Sequence, residues 1–363
     1  MPAITIPSPS DDAESIRKAL QGNALARLGA TGFQLLDVAA DILAYGDLSG
    51  AGWRADKEAL VRVLAHRTAA QRTAIRRAYA FLFREPLLNS FRQRLSRRCP
   101  VSLDFWKAMI LWTMEPAERD ANLVHGALKQ GSGDYLSLSV LVEVACAYEP
   151  DHLVGVRRAY GALFACSVEE DIASSSAFQQ PLKKMLVSLV SSYRYGGERV
   201  DEDVAKLEAS QLSEAMRKKE PHRDEVIRIV STRSKAQLRA TFQKYRDNQG
   251  TDFVEDIDSH CSSQFAKTLK SIVWCLTSPE KHFAEVIRHS IHGLGTYEDM
   301  LTRAIVSRAE IDMKQIKAEY RIRFKTTVTR DVVGDTSFAY RDMLLALVGS
   351  EEECAENMKR CFP

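Results

Sequence analysis

This chain of 363 residues has almost no excess of one charge: 50 basic residues stand against 48 acidic ones, a formal net charge of +2. No global field draws it to nucleic acid, so only local patches remain as electrostatic handles. The seven cysteines, at 99, 146, 166, 261, 275, 354 and 361, are odd in number, scattered, and without Cys-x-x-Cys spacing. Neither a zinc site nor a disulfide framework is expected, and reduced thiols in a cytosolic compartment fit best. No uninterrupted apolar run reaches ~18 residues, so no membrane-spanning helix is expected and membrane contact must be peripheral. Residues 1–12 are Pro- and Ser-rich without a basic start or an apolar centre, and are not read as a signal peptide. Strand alternation bounded by Asn-Gly or Asp-Gly turns is missing. Glycine and proline are few, which excludes collagenous and disordered chains.

Helical patterning is what the chain does have. Leu60, Val61, Val63 and Leu64 fall at helical spacing, as do Ile75, Ala78, Tyr79 and Leu82. The fold class is therefore all-α. Four segments align without gaps. The first runs from Arg67 to Ala78-Tyr79, and the second ends Arg157-Arg158-Ala159-Tyr160. The third runs from Arg233 to Tyr245, and the fourth from Arg308 to Ala318-Glu319-Tyr320. The four tyrosines mark a repeat of roughly 80 residues, long enough for several short helices with their own core. Apolar helices end before Glu115-Pro116, Gly196-Gly197, Ser278-Pro279 and Gly349, which gives the repeat boundaries. The charged stretch 195–203 is the longest linker and is expected to divide the chain into two halves.

One stretch carries a chemical suggestion. Ile291-His292-Gly293-Leu294-Gly295-Thr296-Tyr297-Glu298 is a glycine turn followed by a helical run, and Gly334-Asp335-Thr336 comes later. Glycine lets a turn point its carbonyls outward without a Cβ clash. Such carbonyls with one remote carboxylate, here Asp335, form the hard-oxygen cage that calcium prefers.

Taken together, these features resemble the annexins. Gly293-Leu294-Gly295-Thr296, Val306-Ser307-Arg308-Ala309-Glu310-Ile311-Asp312 and Gly334-Asp335-Thr336-Ser337 read as that family's fourth repeat. Leu111-Trp112-Thr113-Met114-Glu115-Pro116, Val190-Ser191-Ser192-Tyr193-Arg194-Tyr195 and Trp274-Cys275-Leu276-Thr277-Ser278-Pro279 are similar to plant members. The resemblance implies a curved disc of four repeats with about five helices each. It places a tail at 1–10 and repeat I at 11–115, with an insertion at about 22–49. Repeat II falls at 116–194, the linker at 195–203, repeat III at 204–279, repeat IV at 280–350, and a second tail at 351–363. It further implies Ca2+ bound by loop carbonyls and an acidic side chain about 40 residues later, with phospholipid phosphate completing the shell. In repeat IV the carbonyls are those of Ile291, Gly293 and Gly295 and the side chain is Asp335, with Thr296 and Glu298 as further candidate donors.

The other repeats depart from the pattern. The loop Gly50-Ala51-Gly52 of repeat I meets Arg94 in the acidic slot. The loop Gly131-Ser132-Gly133-Asp134 of repeat II has no carboxylate between 172 and 181. Lys218-Lys219-Glu220-Pro221-His222 of repeat III has no glycine turn. One site of four looks complete, and calcium binding is expected to be weak. Trp53, Arg54 and Leu294 are candidate membrane contacts, indole preferring the bilayer interface. Arg54, Arg92, Arg94, Arg97 and Arg98 form a basic group, read either as attracting anionic headgroups without calcium or as a solvated face.

His66 matches a histidine proposed for peroxidase activity in plant members, and Ile227-Arg228-Ile229 matches a tripeptide proposed for F-actin contact. A lone helical histidine without a haem motif is read as structural, and the tripeptide also fits a buried helix. Asp331-Val332-Val333-Gly334 resembles part of a GTPase motif, but the phosphate-cradling Gly-Lys-Ser/Thr loop is missing. The expectation is a cytoplasmic, monomeric, non-enzymatic protein that binds anionic phospholipid in a calcium-dependent way and is peripheral on membranes. The alternatives are a calcium-weak or calcium-independent scaffold on membrane or actin and, last, a peroxidase.

Overall fold

A computed structural model describes residues 7–22, 55–96, 102–130, 133–293 and 295–351. Twenty helices and no strand are present among the described residues. They fall into four sets of five. The first comprises α1 (Pro9–Gln21), α2 (Lys57–Leu64), α3 (Ala69–Phe83), α4 (Leu87–Ser96) and α5 (Leu103–Thr113). The second comprises α6 (Pro116–Gln130), α7 (Tyr135–Cys146), α8 (Pro150–Phe164), α9 (Val168–Ser174) and α10 (Leu182–Ser191). The third comprises α11 (Glu202–Arg217), α12 (Asp224–Thr232), α13 (Lys235–Gln249), α14 (Phe253–His260) and α15 (Gln264–Thr277). The fourth comprises α16 (Pro279–Ile291), α17 (Glu298–Arg308), α18 (Met313–Phe324), α19 (Val328–Asp335) and α20 (Phe338–Val348).

Side-chain caps start many of these helices. Thr68 and Gln71 form a reciprocal capping box on α3, and Ser234, Ser263 and Thr327 cap α13, α15 and α19. The periodic tyrosines explain the repeat. Each is fully buried on the third helix of its set, and its hydroxyl meets the residue eleven positions on, at the start of the fourth helix or within it. Tyr160, Tyr245 and Tyr320 donate to Asp171 (2.5 Å), Asp256 (2.5 Å) and Asp331 (2.7 Å). In the first set the partner is Ser90, 3.2 Å from Tyr79. Buried hydroxyls are usually hydrogen-bonded, and this pair ties the third helix to the fourth in every set.

The chain divides into two compact units, one of residues 1–116 with 283–363 and one of 117–282. The first unit gathers the first and fourth sets. In it, α5 packs on α17 and α20, and α1 packs on α3. Buried Arg72 stacks on Trp112 at 3.5 Å and pairs with Glu310 at 2.7 Å. The second unit gathers the second and third sets, with α7 on α15, α10 on α12 and α11 on α13. The expected division at 195–203 is therefore corrected: the linker lies inside the second unit. Arg194 donates to the carbonyls of Val230 (2.9 Å), Ser231 (3.2 Å) and Arg233. The Asp201 backbone exchanges two 2.8 Å bonds with the Gln237 side chain. Charge and glycine content suggested a dividing linker, but these bonds seat the stretch on the third set.

The described cysteines Cys146, Cys166, Cys261 and Cys275 are all unbridged. No described helix is long and apolar enough to cross a membrane.

Candidate functional site

The loop between α16 and α17 is closed by its own backbone. His292 N–H donates to Arg288 O (2.8 Å), and Tyr297 N–H reaches back to Ser290 O (2.8 Å). Gly295 sits at φ +95°, a conformation that glycine adopts freely and other residues do not. Gly293 and Gly295 are both exposed. Asp335 is the last residue of α19 and is half-buried. The Thr296 hydroxyl lies 2.5 Å from Asp335 Oδ2 and 3.0 Å from the Asp335 carbonyl oxygen. A carboxylate 39 residues downstream is thus brought to the glycine turn by a direct bond.

The position of α19 has an identifiable cause. Asp331, one turn before Asp335, accepts from Arg288 on α16 (2.9 Å), from Tyr320 on α18 (2.7 Å) and from Thr326 (2.9 Å). Burial, together with the bond to Asp331, pushes the Tyr320 phenol well above its ordinary pKa, so it remains a donor. Sequence reading had noticed Asp331 only as part of a nucleotide-motif fragment. Its role is to orient the helix that presents Asp335, and the signal available was its place eleven residues after the periodic tyrosine.

Helix ends put partial negative charge at the loop, while Arg288 and His289 stand in the last turn of α16. The C-termini of α16 and α19 converge on the loop, and each carries partial negative charge on its last carbonyls. Among the described residues no group of three or more His, Cys, Asp or Glu side chains could hold a metal. An ion here would have to rest on backbone oxygens and a single carboxylate. The oxygens available beside the turn are its backbone carbonyls and the Asp335 carboxylate, which Thr296 already meets at 2.5 Å. Calcium takes about six to eight ligands, so water or a phosphate would have to supply the rest. Glu298 opens α17, and its carbonyl accepts from Tyr340 (3.2 Å). Leu294 lies outside the described residues.

At the described positions of the other sets, several of the corresponding groups are engaged by the chain itself. In the second set the Gly133 carbonyl accepts from Gln264 (2.7 Å), and Asp134 caps α7. A Cβ on Gly133 would meet Ala177 O at 2.4 Å, so the backbone is pressed against the residues where a carboxylate is lacking. In the third set Lys219 takes a left-handed turn (φ 58°), and Asp258 pairs with Lys270 (2.5 Å). In the first set Arg94 donates to Leu20 O at 2.6 Å. Trp53, Arg54, Arg97, Arg98, the glycines 50, 52 and 131, and the insertion up to 49 lie outside the described residues beyond Gly22.

His66 is exposed in the turn after α2. Ile227 and Ile229 are buried in α12 at 2% and 0% exposure, so Arg228 alone of the tripeptide reaches the surface, where it pairs with Glu208 (3.0 Å). Tyr297 was not anticipated: it stands 55% exposed on the site loop, its ring 5.9 Å from that of His289 and nearly parallel to it.

The annexin family model matches residues 207–272 and 282–347. Annexin D3 of Arabidopsis thaliana is 39% identical over 350 residues, covering 95% of this chain and 97% of that protein. Zinc-complexed chicken annexin V superposes with TM-score 0.76 at 28% identity, over 96% of this chain and 98% of that one. Calcium-bound annexin (Sm)1 shares the fold, with TM-score 0.72 at 22% identity over 94% and 90%. A five-helix unit repeated four times, together with this degree of identity over nearly the whole length, means that the chain belongs to the annexin family, among its plant-type members.

Proposed function

We propose that this annexin binds anionic phospholipid membranes in a calcium-dependent way, mainly through the loop of the fourth repeat. The observation that carries the reading is the bond between Thr296 and Asp335, which seats a carboxylate beside an exposed glycine turn. The Ile291, Gly293 and Gly295 carbonyls and the Asp335 side chain would hold the ion, with Thr296 fixing the carboxylate and Glu298 adding negative charge nearby. A calcium ion held there would supply positive charge for a lipid phosphate. The protein's share is preorganisation: Asp331 and its three donors hold α19 before any ligand arrives. Exposed Tyr297, an amphipathic ring on the same loop, is suited to the headgroup region, and we assign it a membrane contact beside Leu294, Trp53 and Arg54. Calcium and lipid then each raise the other's apparent affinity, because each completes the other's ligand set. The protein is placed in the cytoplasm, monomeric and peripheral on membranes.

Co-sedimentation with phosphatidylserine vesicles across a calcium series tests this. Binding should rise with calcium and be lost in chelator to the extent that the fourth repeat carries it. Equal binding in calcium and chelator, unchanged by Asp335→Ala, would remove the calcium part. The lack of a paired glycine turn and carboxylate in the other three repeats favours a second reading, a calcium-weak scaffold. F-actin co-sedimentation without vesicle binding would support it, with the contact falling outside buried Ile227 and Ile229. The peroxidase reading is tested by turnover in His66→Ala; loss of turnover would revive it.

A further inference from the structure

The last described residues of the chain fold back onto the helix that presents Asp335. Helix α20 ends at Gly349, whose positive φ (+73°) and N–H bond to Leu345 O (3.0 Å) close its last turn. The next two residues are seated on two other helices of the fourth set. The Ser350 carbonyl accepts from Lys317 Nζ of α18 at 2.7 Å, and Lys317 is 6% exposed, so it is a fixed post and not a surface lysine. The Glu351 carboxylate accepts from the Thr329 hydroxyl at 2.6 Å and from the Thr329 N–H at 3.4 Å. Thr329 is the second residue of α19. An acidic group suits that end, because first-turn N–H groups lack helical partners and carry partial positive charge. Thr327 serves the N–H of Arg330, so two side chains share these donors.

Helix α19 has only eight residues. So short a helix does not hold itself in water, and its direction is set by tethers. Asp331 supplies one at its middle and Thr296 one at its end. Glu351 supplies the tether at its start, about 9 Å along the axis from Asp335.

We propose that Glu351 is a positioning residue for the fourth-repeat loop: by pinning the first turn of α19 it sets where Asp335 stands, and so how tightly the loop takes calcium. The inference rests on the calcium reading of that loop. Glu351 acts through α19 and not as a ligand. Linkage makes the coupling run both ways, so an ion at Asp335 also steadies the seat of Ser350 and Glu351.

Two measurements on the full chain test this. Hydrogen exchange in chelator reads the hold on α19 without any ion. Glu351→Ala should speed exchange of the amides of residues 331–335 about fivefold, the effect of one hydrogen bond, while those of α18 keep wild-type rates. Calcium-dependent binding to phosphatidylserine vesicles reads the consequence. Glu351→Ala should raise the calcium midpoint about fivefold, the lower end of site-to-site coupling, with the maximum unchanged. Thr329→Val removes the other half of the bond and no charge; it should shift both readouts as far, and the double variant no further than either single one. Glu351→Gln, which keeps an acceptor, should recover part of the shift. Glu352→Ala removes the same charge one residue on and should leave both readouts at wild type. The proposal is overturned if α19 exchanges at wild-type rates in Glu351→Ala, if that variant keeps the wild-type calcium midpoint, or if Glu352→Ala moves it as far. A wild type without any calcium response would remove the calcium reading and the tuning with it, while the exchange rates still decide whether Glu351 holds α19.

Discussion

Replacing Thr296 with valine keeps the β-branched shape and deletes only the hydroxyl that holds Asp335. The bond lost is 2.5 Å long and accepted by a carboxylate oxygen, in a half-buried setting. Hydrogen bonds to charged groups contribute about 1.5–3 kcal/mol when well shielded. Partial solvent access places this one near the lower bound. An outer group that orients a ligand typically changes metal affinity by about tenfold or more, which agrees with that range. Thr296→Val should therefore raise the calcium concentration for half-maximal vesicle binding about tenfold, with the maximum preserved at saturating calcium. Thr296→Ser should behave like wild type. The melting temperature serves as the control, since the hydroxyl supports one carboxylate and not the core. If Thr296→Val shows the wild-type calcium midpoint, the hydroxyl does not preorganise the site and the reasoning from its geometry is refuted.

Other perturbations follow from the same structure. Gly295→Ala forces a side-chain residue to φ +95° and should cost about 1–2 kcal/mol of backbone strain, read as a raised calcium midpoint in the vesicle assay. Tyr320→Phe removes one of three donors to Asp331 and should lower stability by about 1 kcal/mol in urea unfolding, with weaker calcium response because α19 is less firmly held. In the second unit, burial opposes ionisation of Asp120, but Arg119 (2.7 Å) and His152 (2.7 Å) outweigh it and hold the carboxyl down to about 2. A carboxyl lowered on folding stabilises fully above its unfolded pKa of about 4 and loses that contribution as pH falls through the folded value. Urea midpoints should therefore fall between about pH 4 and pH 2, and Asp120→Asn should lack that part of the slope.

The all-helical class and the fourfold repeat were legible because helical spacing and the tyrosines are local and periodic. The fourth-repeat loop was legible because glycine at a positive φ and a carboxylate at family spacing leave marks in sequence. The grouping of the sets was not. Arg72 on α3 pairs with Glu310 across 238 residues, and nothing near either residue announces its partner. The linker misled for a related reason: a charged stretch looks like a division between halves until Arg194 and Gln237 are seen to hold it. Likewise, Ile227-Arg228-Ile229 reads as a motif, but both isoleucines point into the core. Arg94 was recognised as a cation in an acidic slot, whereas its bond to Leu20 required the fold.

The central claim is that Asp335 and the glycine turn form this chain's calcium site. Calcium titration calorimetry in the presence of phosphatidylserine vesicles, on wild type and Asp335→Ala, addresses it most directly. The account predicts a single saturable ion per chain for wild type and no such event for the variant. An unchanged isotherm in Asp335→Ala would contradict it.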